Sequence, residues 1–224
     1  MKIGGIDEAG RGPAIGPLVV ATVVVDEKNI EKLRNIGVKD SKQLTPHERK
    51  NLFSQITSIA DDYKIVIVSP EEIDNRSGTM NELEVEKFAL ALNSLQIKPA
   101  LIYADAADVD ANRFASLIER RLNYKAKIIA EHKADAKYPV VSAASILAKV
   151  VRDEEIEKLK KQYGDFGSGY PSDPKTKKWL EEYYKKHNSF PPIVRRTWET
   201  VRKIEESIKA KKSQLTLDKF FKKP

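Results

Sequence analysis

Two acidic residues stand side by side where a short apolar stretch ends: Ile3 to Ile6 runs into Asp7 and Glu8, and Ala9-Gly10-Arg11-Gly12-Pro13 follows. Side chains alternate across a strand, so one of the two carboxylates is directed toward a buried face. An ionised carboxylate there must be paired or coordinated. Asp105 repeats the arrangement at the end of Leu101-Ile102-Tyr103-Ala104, and Asp135 lies after another strand candidate, just ahead of a long helical pattern. Ligands of open α/β sheets gather at the ends of neighbouring strands, so acids ending adjacent parallel strands would converge. Such a cluster suits magnesium or manganese, which prefer oxygen ligands and retain waters, and two such ions suit in-line displacement at phosphorus. Phosphodiester hydrolysis is the chemistry on offer. For any single aspartate the plain reading is a helix cap or a solvated charge; Asp108 and Asp110 are read that way, as the start of the next helix.

Composition narrows the alternatives. The 224 residues contain no cysteine, and His47, His132 and His187 are scattered, so disulfides, thiolate sites and a histidine-rich metal site are excluded. No stretch approaches the roughly 20 apolar residues that span a bilayer, and the chain is read as soluble and cytoplasmic, with no membrane partner. The net charge of +7 invites a nucleic-acid partner, but six lysines against one aspartate from Lys209 onward place five of those charges in the last sixteen residues. The body is nearly balanced, so placed motifs must carry the argument.

The elements that must position these residues follow from periodicity. Strands are read at Ile3–Ile6, Leu18–Val25, Ile65–Val68, Leu101–Asp105 and Lys127–Ala130, in the order β-β-β-α-β-α-β and then helices. Thr45-Pro46-His47-Glu48 is a capping box that opens a helix to about Ala60. Val85, Phe88, Leu92 and Leu95 mark an amphipathic helix, and Ala111–Leu122 another. From Pro139, one helical stripe (Val140, Ala144, Leu147, Val151) should pack, and the opposite one (Ser142, Ser145, Lys149, Arg152) should face solvent or a ligand. Asp173-Pro174 starts a helix to about Lys186, and a last helix covers roughly Thr197–Lys209. The expected organisation is a catalytic body over residues 1–160, a helical domain over 161–210 and a flexible tail over 211–224.

Asp7-Glu8-Ala9-Gly10-Arg11-Gly12-Pro13 resembles the opening signature of ribonuclease HII. The resemblance continues in order through Asp40-Ser41-Lys42, Tyr103-Ala104-Asp105, His132-Lys133-Ala134-Asp135, Ser142-Ala143-Ala144-Ser145-Ile146 and Gly169-Tyr170-Pro171, and it is most similar to the archaeal branch. It implies an α/β fold: a ribonuclease H-like mixed five-stranded sheet flanked by helices, with a C-terminal helical extension. It also implies that Asp7, Glu8, Asp105 and Asp135 are the catalytic metal-binding acids, holding two magnesium or manganese ions when substrate is present. The backbone of Gly10, Arg11 and Gly12 would read the 2′-hydroxyl that separates RNA from DNA, and Tyr170 would meet the ribose beside the scissile junction. Lys42, Lys149 and Arg152 are candidates for phosphate contacts, with Ser142 beside them. The implied substrates are RNA/DNA hybrids and duplex DNA with embedded ribonucleotides, cut on the 5′ side to leave a 3′-hydroxyl and a 5′-phosphate.

Near the C-terminus, Gln214, Leu217, Phe220 and Phe221 are spaced as in the box by which replication and repair proteins bind the sliding clamp (PCNA). One helical turn would put the three apolar side chains on one face. The alternative is that the phenylalanines fold back on the body. Two other functions stay open: a transposase or junction resolvase with the same sheet and acids, and a non-catalytic clamp-tethered adaptor. A monomer is expected.

Overall fold

The chain begins with the strand β1 (Lys2–Ala9), which pairs antiparallel along its whole length with β2 (Leu18–Asp26). A single 3-10 turn leads into α1 (Ile30–Asn35), and α2 (Pro46–Ile59) follows with the expected capping box at Thr45 and Glu48. Next come β3 (Asp62–Val68), α3 (Pro70–Asp74), α4 (Met80–Asn93), β4 (Leu101–Asp105), α5 (Ala111–Glu119), β5 (Lys127–Glu131), α6 (Ala134–Lys137), α7 (Pro139–Tyr163), α8 (Pro174–His187) and α9 (Glu199–Phe221). This is a computed structural model; it describes residues 1–38 and 44–221, with the backbone alone for 215–221. The expected order β-β-β-α-β-α-β is corrected at one point, because α1 and α2 separate the second and third strands. The amphipathic helix ends at Asn93, short of Leu95. The last helix runs on past Lys209.

The chain divides into two units. The first comprises Met1–Arg11, Leu18–Val68 and Arg76–Glu155 and contains the sheet, ordered β3-β2-β1-β4-β5. β2 runs antiparallel to both of its neighbours, β1 and β3, while β1, β4 and β5 run parallel. Each face of the sheet carries its own apolar core. On one side Ile3 and Ala9 of β1 join Leu52 and Ile56 of α2 and Val141, Ala144 and Leu147 of α7. On the other, Ile6 of β1 joins Phe88 and Leu92 of α4 and Phe114 and Ile118 of α5. Burying each of the leucine, isoleucine, valine and phenylalanine side chains among these stabilises the unit by about 1.5–3 kcal/mol.

Helix α7 can lie against β1 because of Gly5. A Cβ built there would stand 2.3 Å from the backbone of Val140. Both sides of the helix's first half are buried, so the solvent-facing reading of that stripe is corrected: Ser142, Ser145 and Arg152 are all buried and Lys149 is half-buried. Polar residues opposite an apolar stripe read as a solvated face only when nothing packs there.

The second unit comprises Gly12–Pro17, Ser69–Asn75 and Ile156–Pro224. Its core is built from Ile15, Ile156, Phe166, Leu180, Tyr184 and Val201, among others. Asp173 caps α8, as expected, by accepting the Lys175 N–H at 2.8 Å.

Candidate functional site

Register brings the acids together. β1 and β4 are adjacent and parallel, with Ile6 opposite Ala104, so the next residues along the two strands are Asp7 and Asp105. Asp7 shares the parity of Ile3 and Ala9 and lies on the α7 side; Glu8 shares that of Ile6 and lies on the α4 side. Asp7 is only 4% exposed. Its carboxylate accepts the Glu8 N–H at 2.8 Å and a hydroxyl hydrogen bond from Ser145 of α7. Asp105 Oδ1 accepts the Ala134 N–H at 2.8 Å, which fixes the start of α6 at the end of β4. Asp135 is the next residue, 7% exposed.

The turn into α6 is made by Lys133, whose φ of 58° is a left-handed conformation rare for a residue with a side chain. Such a conformation costs of order 1–3 kcal/mol and persists where its surroundings demand it. Here it delivers the Ala134 N–H to Asp105. Tyr103 of β4 stacks on Tyr138 with ring centroids 3.9 Å apart, which holds the same junction from one side.

Crowding shows in the electrostatics. The Asp7 carboxyl is held well above the usual carboxylate range by burial and then by the charges of Glu8 and Asp105, against the pull of the Ser145 and Glu8 hydrogen bonds. Burial and then Asp105 push Glu8 up to about 7, with Arg11 acting the other way. Glu8 Oε2 is buried with no hydrogen-bond partner. Mutually repelling carboxylates and an orphaned buried oxygen are what a divalent cation would satisfy. Among the described residues no three histidine or acidic side chains enclose an ion as they stand. The all-carboxylate donor set suits a hard, oxygen-preferring ion that keeps several waters.

The glycine loop is anchored by residues that the sequence did not single out. Gly10 has a φ of 88°, open to glycine at no steric cost. Arg11 forms an ion pair with Glu84 of α4, and its other terminal nitrogen donates to Asn81 Oδ1 at 2.6 Å. Within the second unit, Trp198 Nε1 donates to the Gly12 carbonyl at 2.9 Å. Buried Arg195 donates its backbone N–H to Ala14 at 2.8 Å and Nε to the Gly16 carbonyl at 2.9 Å. Tyr170 is exposed and edges Gly12, 3.4 Å from where a Cβ would be.

Of the other expected site residues, Ser142 gives its hydroxyl to the Val38 carbonyl. Lys42 lies outside the described residues. Gln214 is exposed on α9, and the backbone of Leu217, Phe220 and Phe221 continues that helix, their side chains lying outside the description. Glu84 had one signal in the sequence: a charge set four residues before Phe88 on the apolar stripe of α4. Trp198 and Arg195 had none, since their partners are about 180 residues away.

The family model for ribonuclease HII matches residues 4–201. Ribonuclease HII of Pyrococcus horikoshii is 69% identical over 222 residues, covering 99% of this chain and 100% of the relative. The crystal structure of ribonuclease H2 from Pyrococcus horikoshii superposes with a TM-score of 0.91 over 93% of this chain and 99% of the other, at 69% identity. The ribonuclease HII solved in complex with PCNA from Archaeoglobus fulgidus is 44% identical, with a TM-score of 0.81 over 90% of this chain and 96% of that one.

Proposed function

Because the chain belongs to the ribonuclease HII family and is a metal-dependent nuclease of the ribonuclease H type, we propose that it cuts RNA strands in RNA/DNA hybrids and the phosphodiester 5′ of ribonucleotides embedded in duplex DNA. The products are a 3′-hydroxyl and a 5′-phosphate. One observation carries this reading: the register of β1 and β4 sets Asp7 beside Asp105, with Glu8 adjoining, one residue from the loop Gly10-Arg11-Gly12.

In this reading Asp7, Glu8, Asp105 and Asp135 hold two magnesium or manganese ions. The chemistry these ions supply is activation of a water and stabilisation of the departing 3′ oxygen. Ser145 orients Asp7, and Asp105 both contributes charge and sets α6 so that Asp135 follows. The backbone at Gly10, Arg11 and Gly12 approaches the ribose and reads its 2′-hydroxyl, and Tyr170 covers the sugar beside Gly12. Lys149 and Lys42 contact phosphates without reading sequence. The burial of Arg152 and the Ser142 bond to Val38 support a supporting role for these two, holding α7 rather than meeting solvent-borne phosphate. No helix among the described residues is long and apolar enough to cross a membrane.

The partner of α9 is the sliding clamp, bound by a monomer through Gln214, Leu217, Phe220 and Phe221; the solved complex of the Archaeoglobus relative with PCNA supports this. Titration of a peptide covering these residues against the organism's clamp, read by calorimetry, is expected to give saturable binding. Silence at high micromolar concentration removes the clamp from the proposal.

The decisive assay is a duplex with one ribonucleotide, its products mapped at nucleotide resolution with and without magnesium. A single metal-dependent cut 5′ of the ribonucleotide is expected. Equal cleavage of the all-DNA duplex would favour a transposase or resolvase, and binding without cleavage in either magnesium or manganese would favour an adaptor.

A further inference from the structure

Glu84 is a carboxylate with no exposed surface, placed on the face of α4 that packs against the sheet. One oxygen pairs with Arg11, and the other, Oε1, has no hydrogen-bond partner. Taking such a charge out of water has a cost that a buried ion pair seldom repays in net stability. An apolar side chain of the same volume would serve the core of α4 at least as well. The pair therefore does something other than hold the helix down.

Its geometry indicates what. Arg11 spends one terminal nitrogen on Glu84 and the other on Asn81, three residues earlier on α4. Asn81 is in turn engaged by Asp108, whose carboxylate also receives the Arg113 guanidinium at 2.7 Å. The guanidinium is thus seated on a charged and amide platform that belongs to a rigid helix, while the backbone on either side of it is glycine. Two glycines leave a loop floppy unless the residue between them is pinned.

We propose that Glu84, with Asn81, is a positioning residue for ribose recognition: by clamping Arg11 it sets the backbone of Gly10-Arg11-Gly12 against the 2′-hydroxyl. This rests on the reading that the loop senses that hydroxyl. The pair is retained for the loop's geometry, and removing it should weaken substrate binding while leaving the fold intact.

The test compares E84M, E84Q, R11A and the doubles E84M/R11A and E84Q/R11A on a duplex carrying one ribonucleotide. E84M is expected to melt no lower than the wild type, because methionine fills the space, yet to raise KM by about tenfold with kcat within about twofold, the pattern of lost positioning in binding. E84Q, whose amide oxygen can still accept from Arg11, should stay within about threefold of the wild-type KM. E84M/R11A should be no worse than R11A, since residues acting through one another are not additive. A folded E84M with wild-type KM overturns the proposal, as does full additivity with R11A. Should E84M not fold, N81A, which removes the other bond to Arg11 and leaves Glu84 in place, takes its place in the cycle: a raised KM that is non-additive with R11A supports the clamp, and additivity or a wild-type KM overturns it. A parallel duplex with a 2′-methoxy ribonucleotide separates the two ideas. If the wild type cuts it as readily as the unmodified one, ribose reading by the loop fails, whatever Glu84 does; if the wild type discriminates and E84M is unchanged, only the role of Glu84 fails.

Discussion

The Asp105 carboxylate accepts the Ala134 N–H at 2.8 Å, so the last residue of β4 serves two purposes at once. It contributes negative charge beside Glu8 and Asp7, and it seats the short helix on which Asp135 is the next residue. Charge and scaffold can be separated by substitution, because an amide oxygen accepts the same hydrogen bond without the charge.

Asp105→Asn is therefore expected to keep the fold and lose the chemistry. Cleavage should fall by at least about 100-fold, beyond the range seen when only a ligand's supporting partner is removed. Thermal melting should be unchanged or higher, since one of several repelling carboxylates is gone. Turnover in magnesium near the wild-type rate would take Asp105 out of the mechanism.

The pH dependence of stability follows from the raised acids. Asp7 and Glu8 bind protons more tightly in the folded chain than in the unfolded one, Glu8 with a pKa of about 7. Over the window from the ordinary carboxylate range up to about 7 the folded state carries the extra protons, so stability falls as pH rises through it. Asp173, pulled down to about 2, has completed its opposite contribution below that window. Melting of the metal-free protein should decline from about pH 5 to about pH 8, and the decline should flatten in saturating magnesium or in Glu8→Gln. A metal-free melting temperature that climbs over the same interval would contradict the burial of this pair.

Ser145 is expected to matter through Asp7. Removing the hydroxyl in Ser145→Ala deletes a hydrogen bond to the ionised carboxylate, which should weaken apparent magnesium affinity by about 10- to 100-fold, as for other outer partners of metal ligands. Activity titrated against magnesium measures this directly. The deficit should shrink at high magnesium, whereas a loss that saturating metal leaves untouched would point to substrate contact.

Much of this site was legible in the sequence, and the limits have physical causes. Asp7 and Asp105 announced themselves because each ends an apolar run, and the parallel neighbours β1 and β4 then had to bring the two together. Asp110 caps α5 as expected, accepting the Arg113 N–H at 3.0 Å. What stayed hidden was set by tertiary packing. The polar stripe of α7 looks solvated by periodicity alone; only the approach of β1 at Gly5 explains why Ser145 is buried against Asp7. Glu84 and Trp198 anchor the loop from far along the chain, and no local spacing encodes such a bond.

Gly5→Ala tests the same approach from the strand. The added methyl would stand 2.3 Å from the carbonyl of Val140, so the start of α7 must move, at a cost of roughly 1–3 kcal/mol as in other overpacked cores. Because Ser145 rides on that helix, activity should drop with stability. Urea denaturation and kcat measured together check both; a stable, fully active variant would mean that α7 yields without disturbing Asp7.

Trp198→Phe addresses the second unit. The indole N–H donates to the Gly12 carbonyl at 2.9 Å while the ring lies 4.9 Å from the Arg195 guanidinium. Phenylalanine keeps a ring for the cation and removes only the hydrogen bond, a loss of about 0.5–1.5 kcal/mol. If that energy is spent on holding Gly12, KM for a duplex with one ribonucleotide should rise by about 3-fold to about 10-fold, with kcat little changed. Trp198→Ala should do more, because Arg195, which holds Ala14 and Gly16, then also loses its aromatic neighbour. If the phenylalanine variant loses stability by that amount and keeps its KM, the bond to Gly12 holds the unit together and has no part in reading the ribose.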